Sequence, residues 1–107
     1  MKMLSLLSAL VLSALMLINI AQAKPFASGD ATAGKQFFEQ NKCNRCHIQK
    51  MGGDGSAIFT RPNRIVNTPK QLIARMHYCS EASKIMLTPA DEQNVGAFLN
   101  QTYYKFK

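Results

Sequence analysis

The first block of the chain is almost entirely apolar. "MLSLLSALVLSALMLINI", residues 3–20, follows a single early charge at Lys2 and ends at Ala21-Gln22-Ala23. A charged start, an apolar middle and an A-x-A end predict a secretory leader over residues 1–23. An uncleaved membrane anchor is the alternative, because the run approaches the length of a bilayer span. From Lys24 onward the pattern becomes helical, with apolar positions every three or four residues. Asp30 can cap a helix over about 31–41, with Gly34, Phe37 and Phe38 on neighbouring turns. Gly inside a helix costs about 1 kcal/mol relative to Ala, so Gly34 implies a close approach of another element. Thr68 caps a middle helix over about 69–79, with Pro69 in its first position and Leu72, Ile73, Met76 and Cys79 along one face. Thr88-Pro89, with Asp91 in a variant capping box, opens a last helix over about 89–102; its stripe is Val95, Phe98, Leu99 and Tyr103. Three helices and no alternating stretch predict an all-α fold.

Between the helices lie connections of a different character. "IQKMGGDGSAIFTRPNRIVN" carries the turn residues of a flexible loop. "TYYKFK", at the other end, is aromatic, and reads either as an interface or as the end of the core.

Length then limits the architecture. Without the leader, 84 residues remain, enough for one domain over 24–107 with a thin core, and chains of this size commonly need a metal, disulfides or a cofactor. Loss of Lys2 leaves 12 basic against 6 acidic residues, formally +6, spread along the chain. Such a surface attracts an acidic protein partner, and export disfavours nucleic acid. The cysteine count is three, an odd number in a compartment that favours pairing.

"CNRCH", residues 43–47, accounts for two of the three. C-x-x-C-H is the attachment motif of c-type haem. Cys43 and Cys46, about one helical turn apart, can add to the two vinyl groups of one macrocycle, and His47 then falls under the iron as the proximal ligand. A thioredoxin-like disulfide would want a βαβ setting, which the pattern lacks. A zinc site built from Cys43, Cys46, Cys79 and a histidine is short of ligands, because adjacent Cys46 and His47 do not both reach one small ion.

With this motif in place, the chain from Lys24 resembles the class I c-type cytochromes. "GDATAGKQFFEQNKCNRCH" is similar to their N-terminal helix and haem motif, and "TPADEQNVGAFLN" to their C-terminal helix. The resemblance implies one covalent haem c within a three-helix cytochrome c-like fold, a helix crossing at Gly34, and a proline carbonyl accepting the proximal His N–H, for which Pro62 is the match. Arg61 and Arg64 beside it are candidates for pairing with the haem propionates. It also implies a distal methionine, commonly followed by proline, in the loop before the last helix. Here the sequence departs from the pattern: Met86 is followed by Leu87 and sits one residue from the Thr88 cap. Cys79, separated from Thr88 by eight residues and on the apolar face of the middle helix, is the stronger candidate for the far side of the iron, with Met86 and His77 as alternatives. Coordination would also turn a free thiol, a liability after export, into a stable ligand. Monohaem cytochromes with His/Cys iron, including heterodimeric NO-binding forms, are similar in this region, on the "YC" and "LNQTYYKF" segments.

Two functions follow from that resemblance. One is one-electron transfer in the periplasm by an exported carrier that performs no bond chemistry and is not an enzyme. The other is a low-potential haem subunit that binds or senses NO or CO, with a second cytochrome subunit or a copy of itself as partner.

Overall fold

The protein is described by a computed structural model covering residues 24–107, so the leader or anchor expected over 1–23 lies outside the described residues. Asp30, with extended backbone, opens α1 (Ala31–Gln40) by accepting from the N–H groups of Thr32 and Ala33. The helix ends without a glycine. Lys42 takes the left-handed conformation (φ 51°), and the N–H groups of Lys42 and Cys43 bond the carbonyls of Glu39 and Phe38. This is the double bond of a Schellman turn built on lysine. It delivers Cys43 directly to α2 (Arg45–Met51), which carries Cys46 and His47. A glycine-rich turn and α3 (Ala57–Thr60) come next, then α4 (Pro69–Ala82), capped by Thr68 through the Gln71 N–H. The last helix, α5 (Pro89–Leu99), carries the reciprocal capping box between Thr88 and Asp91 and runs into a π-helical turn over Asn100–Tyr104. The described residues contain no strand, and the protein is all-α.

The main packing is α1 against α5. It depends on residues with no side chain. A Cβ on Gly34 would fall inside the Asn94 carbonyl and 2.8 Å from Val95 N, so the two backbones touch there. Gly96, on the opposite side of α5, is covered by the ring of Phe26, which is itself buried in the turn before α1. Asn94 also accepts the Asp30 N–H at 2.8 Å, tying the start of α1 to the same helix. α4 packs on α5 more thinly, through Leu72, which is 2% exposed.

Two expected boundaries shift. The middle helix runs three residues beyond 79, because its stop is a second Schellman turn on a lysine: Lys84 (φ 57°) and Ile85 bond the carbonyls of Glu81 and Ser80. The last helix is α-helical only to Leu99. Beyond it, Asn100 turns the chain back. Its buried side chain accepts the Phe106 N–H at 2.7 Å and donates to the Phe106 carbonyl at 3.2 Å. Tyr104 therefore stacks on Phe106 (centroids 5.1 Å apart) and is buried, so the aromatic tail is largely core.

Candidate functional site

Phe59 of α3 is the hub of an aromatic cluster. Its ring lies 4.9 Å from Tyr103, 5.8 Å from Tyr104, 6.2 Å from Phe38 and 5.4 Å from the His47 imidazole, which it meets edge-on. Beside this cluster lies a cavity of about 80 Å3 between α4 and the α1–α5 pair. Its walls are apolar: Phe37 and Phe38 from α1, Leu72 and Met76 from α4, and Val95 and Leu99 from α5. The Schellman turn after α4 brings Ile85 and Leu87 to the same cavity. Into this wall are set three of the candidate ligating groups, Cys43, His47 and Cys79.

Each of these sits in surroundings that favour its neutral form. Burial raises the pKa of Cys79, opposed by the charge of Arg75, and burial likewise raises that of Cys43, to which a charge on Cys79 would add. Burial lowers the pKa of His47, and the cations Lys50 and Arg61 lower it further. The imidazole is thus held unprotonated, with a lone pair available as a ligand. Cys46, also in α2, is exposed.

The other candidates are placed elsewhere. Met86 is 83% exposed and does not line the cavity. His77 is turned to α5, where its Nε2 lies 2.7 Å from Glu92 Oε1. Of the three distal candidates Cys79, Met86 and His77, only Cys79 faces the cavity that His47 shares, with Met76 of the same helix beside it. Arg64 is also committed: it donates to the Phe59 carbonyl at 3.1 Å and lies over the Tyr104 ring at 5.2 Å. Arg61 is not. Its Nε is buried without a partner, and its Nη1 has only the Met51 sulfur at 3.8 Å. A buried guanidinium N–H with no acceptor is costly, and a carboxylate is its natural complement.

One expected contact is not made in this structure: His47 Nδ1 lies 2.7 Å from Asn44 Oδ1 and not at the Pro62 carbonyl, and Pro62 is exposed. The physical reason is the position of Asn44. It stands three residues before His47 at the mouth of α2, where its side chain reaches the ring. Sequence reasoning gave the two middle positions of "CNRCH" no role; the preference of Asn for helix N-caps was the signal that could have marked Asn44. Phe59 was missed as well, hidden in a segment dominated by turn residues.

Two thiols, Cys43 and Cys79, and one imidazole, His47, thus share one apolar wall. No set of three or more His, Cys, Asp or Glu side chains among the described residues is placed to hold a free metal ion. No protein-family model matches the chain, and no curated protein and no solved structure matches it either.

Proposed function

We propose that the protein is an exported monohaem c-type cytochrome of class I type that carries one electron at a time. Cys43 and Cys46 hold haem c through two thioethers, His47 is the proximal ligand and Cys79 the distal one. The observation that carries this reading is the convergence of Cys43, His47 and Cys79 on one apolar cavity, from the C-x-x-C-H segment on one side and α4 on the other. The fit is chemical rather than volumetric. A macrocycle needs more room than about 80 Å3, so the walls would have to part for it, and the α4 contact with α5 is thinner than that of α1. The orphaned Arg61 Nε would suit a propionate better than Arg64, whose Nε and Nη1 already donate to Asn67 Oδ1 and the Phe59 carbonyl.

When bound, the haem supplies the redox couple; the protein residues set its ligation and surroundings. Phe38, Phe59, Leu72 and Leu99 exclude water, and a dry site with an anionic sulfur ligand favours ferric iron and a low potential. No residue is assigned a bond-making role, so the reading is of a carrier and not of an enzyme. Lys42, Arg45 and Lys50 are all exposed around the exposed Cys46, which suits an acidic redox partner. Residues 1–23 act as the leader, removed after Ala23 as the chain enters the periplasm.

A second reading starts from the same placement of Cys79 on the cavity wall. A thiolate bond to the iron would weaken on reduction, and NO or CO could then displace Cys79, which would make the protein a gas-binding haem subunit, paired with a second cytochrome or with its own copy.

The experiment is spectroscopic. Ferric protein should give a low-spin thiolate EPR signal that Cys79→Ala abolishes and Met86→Ala leaves in place. Loss of the signal in Met86→Ala with retention in Cys79→Ala would refute the ligand assignment. NO added to the reduced protein separates the two readings: an unchanged spectrum leaves the electron carrier, and a displaced sulfur ligand favours the gas-binding subunit.

A further inference from the structure

α2 shows His47 to the apolar cavity and Arg45, Ile48 and Gln49 to a second hollow, an open groove of about 1080 Å3 completed by α1 and the end of α5. Its floor is aromatic. Phe38, Phe98 and Tyr103 lie in a row, with ring centroids 5.5 Å apart for the first pair and 6.3 Å for the second, and all three are only partly buried. Ile48 adds an aliphatic side chain that is 46% exposed. Contiguous apolar surface left open on a small protein commonly marks an interaction site.

The charges around this floor are uneven. Lys35, Lys42 and Arg45 line the groove against two acids, Glu39 and Asp54. Both acids are engaged. Glu39 lies 4.0 Å from Lys35, and Asp54 Oδ1 accepts the Ser56 N–H at 3.0 Å and the Ser56 hydroxyl at 2.7 Å. Lys42 and Arg45 are exposed and form no ion pair among the described residues. The groove therefore has a cationic end at the start of α2 and an apolar floor.

Charge separates the candidate occupants. Residues 1–23 contain no Asp or Glu and bring nothing to Lys42 and Arg45. A second copy would insert one of its other exposed apolar side chains, Ile65, Tyr78 or Met86. Ile65 follows Arg64, Tyr78 lies under the Arg75 guanidinium at 5.2 Å, and Met86 is two residues from Lys84. Each would carry a cation toward cations, an arrangement that protein interfaces avoid. Small-molecule sites enclose most of their ligand, whereas this groove is open to solvent. A protein surface with carboxylates beside an apolar side chain meets both features at once.

We propose that the groove between α1, α2 and α5 is a docking surface for an acidic protein segment, which seats an apolar side chain on Phe38, Phe98 and Tyr103 and sets its carboxylates against Lys42 and Arg45. Binding rests on the surface alone; its place in electron transfer rests on the haem reading. The floor is continuous with the aromatic cluster beside the cavity, because Tyr103 stacks on Phe59 at 4.9 Å and Phe59 meets His47 at 5.4 Å. A redox partner seated there approaches from the His47 side of the cavity.

The test is a titration of the 15N-labelled protein with synthetic peptides, followed by amide chemical shifts. The probe is an octapeptide of Glu and Asp around a central Phe-Leu pair. Its controls carry the same acids around Ser-Ser, or Phe-Leu flanked by Gly and Ser. The probe should shift the amides of Arg45, Ile48, Phe98 and Tyr103 and bind about tenfold more tightly than either control. Arg45→Glu should weaken it about tenfold by setting like charge against like. Ile48→Ser should weaken it about fivefold by removing apolar area at unchanged charge. Lys70→Glu, the same reversal on exposed α4, should leave it within about twofold because a distant surface charge is screened. Each variant is first checked for wild-type helicity. Shifts centred on Ile65 and Tyr78, equal weakening by Arg45→Glu and Lys70→Glu, or no binding of the probe at millimolar concentration overturns the proposal. So does binding to phosphatidylglycerol vesicles with the same variant pattern while the peptide stays unbound, which assigns the groove to a lipid surface. Failure of the haem reading shows differently, as a wild-type product with no Soret band, and leaves the peptide titration to decide the groove.

Discussion

Gly34→Ala is the sharpest perturbation of the frame that supports the cavity. Alanine should help α1 taken alone, by about 1 kcal/mol of helix propensity. The crossing opposes it. The new Cβ would overlap the Asn94 carbonyl and lie 2.8 Å from Val95 N, where side-chain carbons keep 3.0 Å or more. Both obstacles are backbone, so no side chain can swing away, and α1 and α5 must separate by about 1 Å, a large step against interaxial distances of 8–10 Å. Overpacking of this kind costs about 3 kcal/mol at the upper end of its usual range. The net loss is then about 2 kcal/mol, since about 1 kcal/mol returns through helix propensity. For a domain of this size that lowers Tm by roughly 8–16 °C. Phe37, Phe38, Val95 and Leu99 line the cavity from these two helices, so its walls should loosen along with the crossing. Thermal unfolding followed by circular dichroism measures the loss, with the exposed Thr32→Ala on the same helix as a control expected within about 0.5 kcal/mol of wild type. A Gly34→Ala protein as stable as wild type, or more stable, would refute the reasoning that backbone contact requires glycine.

Three further outcomes are expected. Asn100→Ala removes both bonds that hold Phe106 and should cost about 1–3 kcal/mol in denaturant unfolding, with Tyr103 and Tyr104 fluorescence reporting release of the tail. Acid should destabilise the haem-free chain through His47: its pKa is lowered by burial, so the unfolded chain binds the proton more tightly, and this contribution is fully present above pH about 6.5 and lost as pH falls through the depressed folded value. Urea midpoints at pH 7.5 and 5 in wild type and His47→Gln isolate it, the difference between the two proteins narrowing in acid. Arg61→Leu should leave the haem-free chain equal or more stable, because it removes an unsatisfied buried donor, yet destabilise the haem-bearing chain by about 1–3 kcal/mol; the same direction in both forms would argue against a propionate partner.

The helix starts were plainly legible, because their chemistry is local. Asp30, Thr68 and Thr88 each cap a helix through their own side chains, and Pro69 and Pro89 occupy first positions that need no N–H. The stops were not. α1 and α4 end on lysines in the left-handed conformation, which a lysine adopts only because two backbone bonds and the packing of the next segment hold the turn around it. No residue type advertises such an end. Gly34 declared a close approach by being a glycine inside a helix, but its partner, the carbonyl of Asn94, is sixty positions away and becomes visible only in the fold. At the site, the residue types of "CNRCH" carried the chemistry, while the partner of His47 depended on which acceptor the glycine-rich turn pressed against α2. The placement of Cys79 beside His47, and of Met86 in solvent, is set by the phase of α4 and the turn after it, to which spacing from Thr88 was only an approximate guide.

The central claim is a covalent haem on Cys43 and Cys46. Intact mass of the denatured protein, purified from a host with haem-attachment machinery, tests it most directly, alongside the Soret absorption of the native sample. The expected result is one species whose mass is that of residues 24–107 plus one haem, with a single alkylatable thiol, at Cys79. A colourless product at the bare polypeptide mass, with three alkylatable thiols, would contradict it.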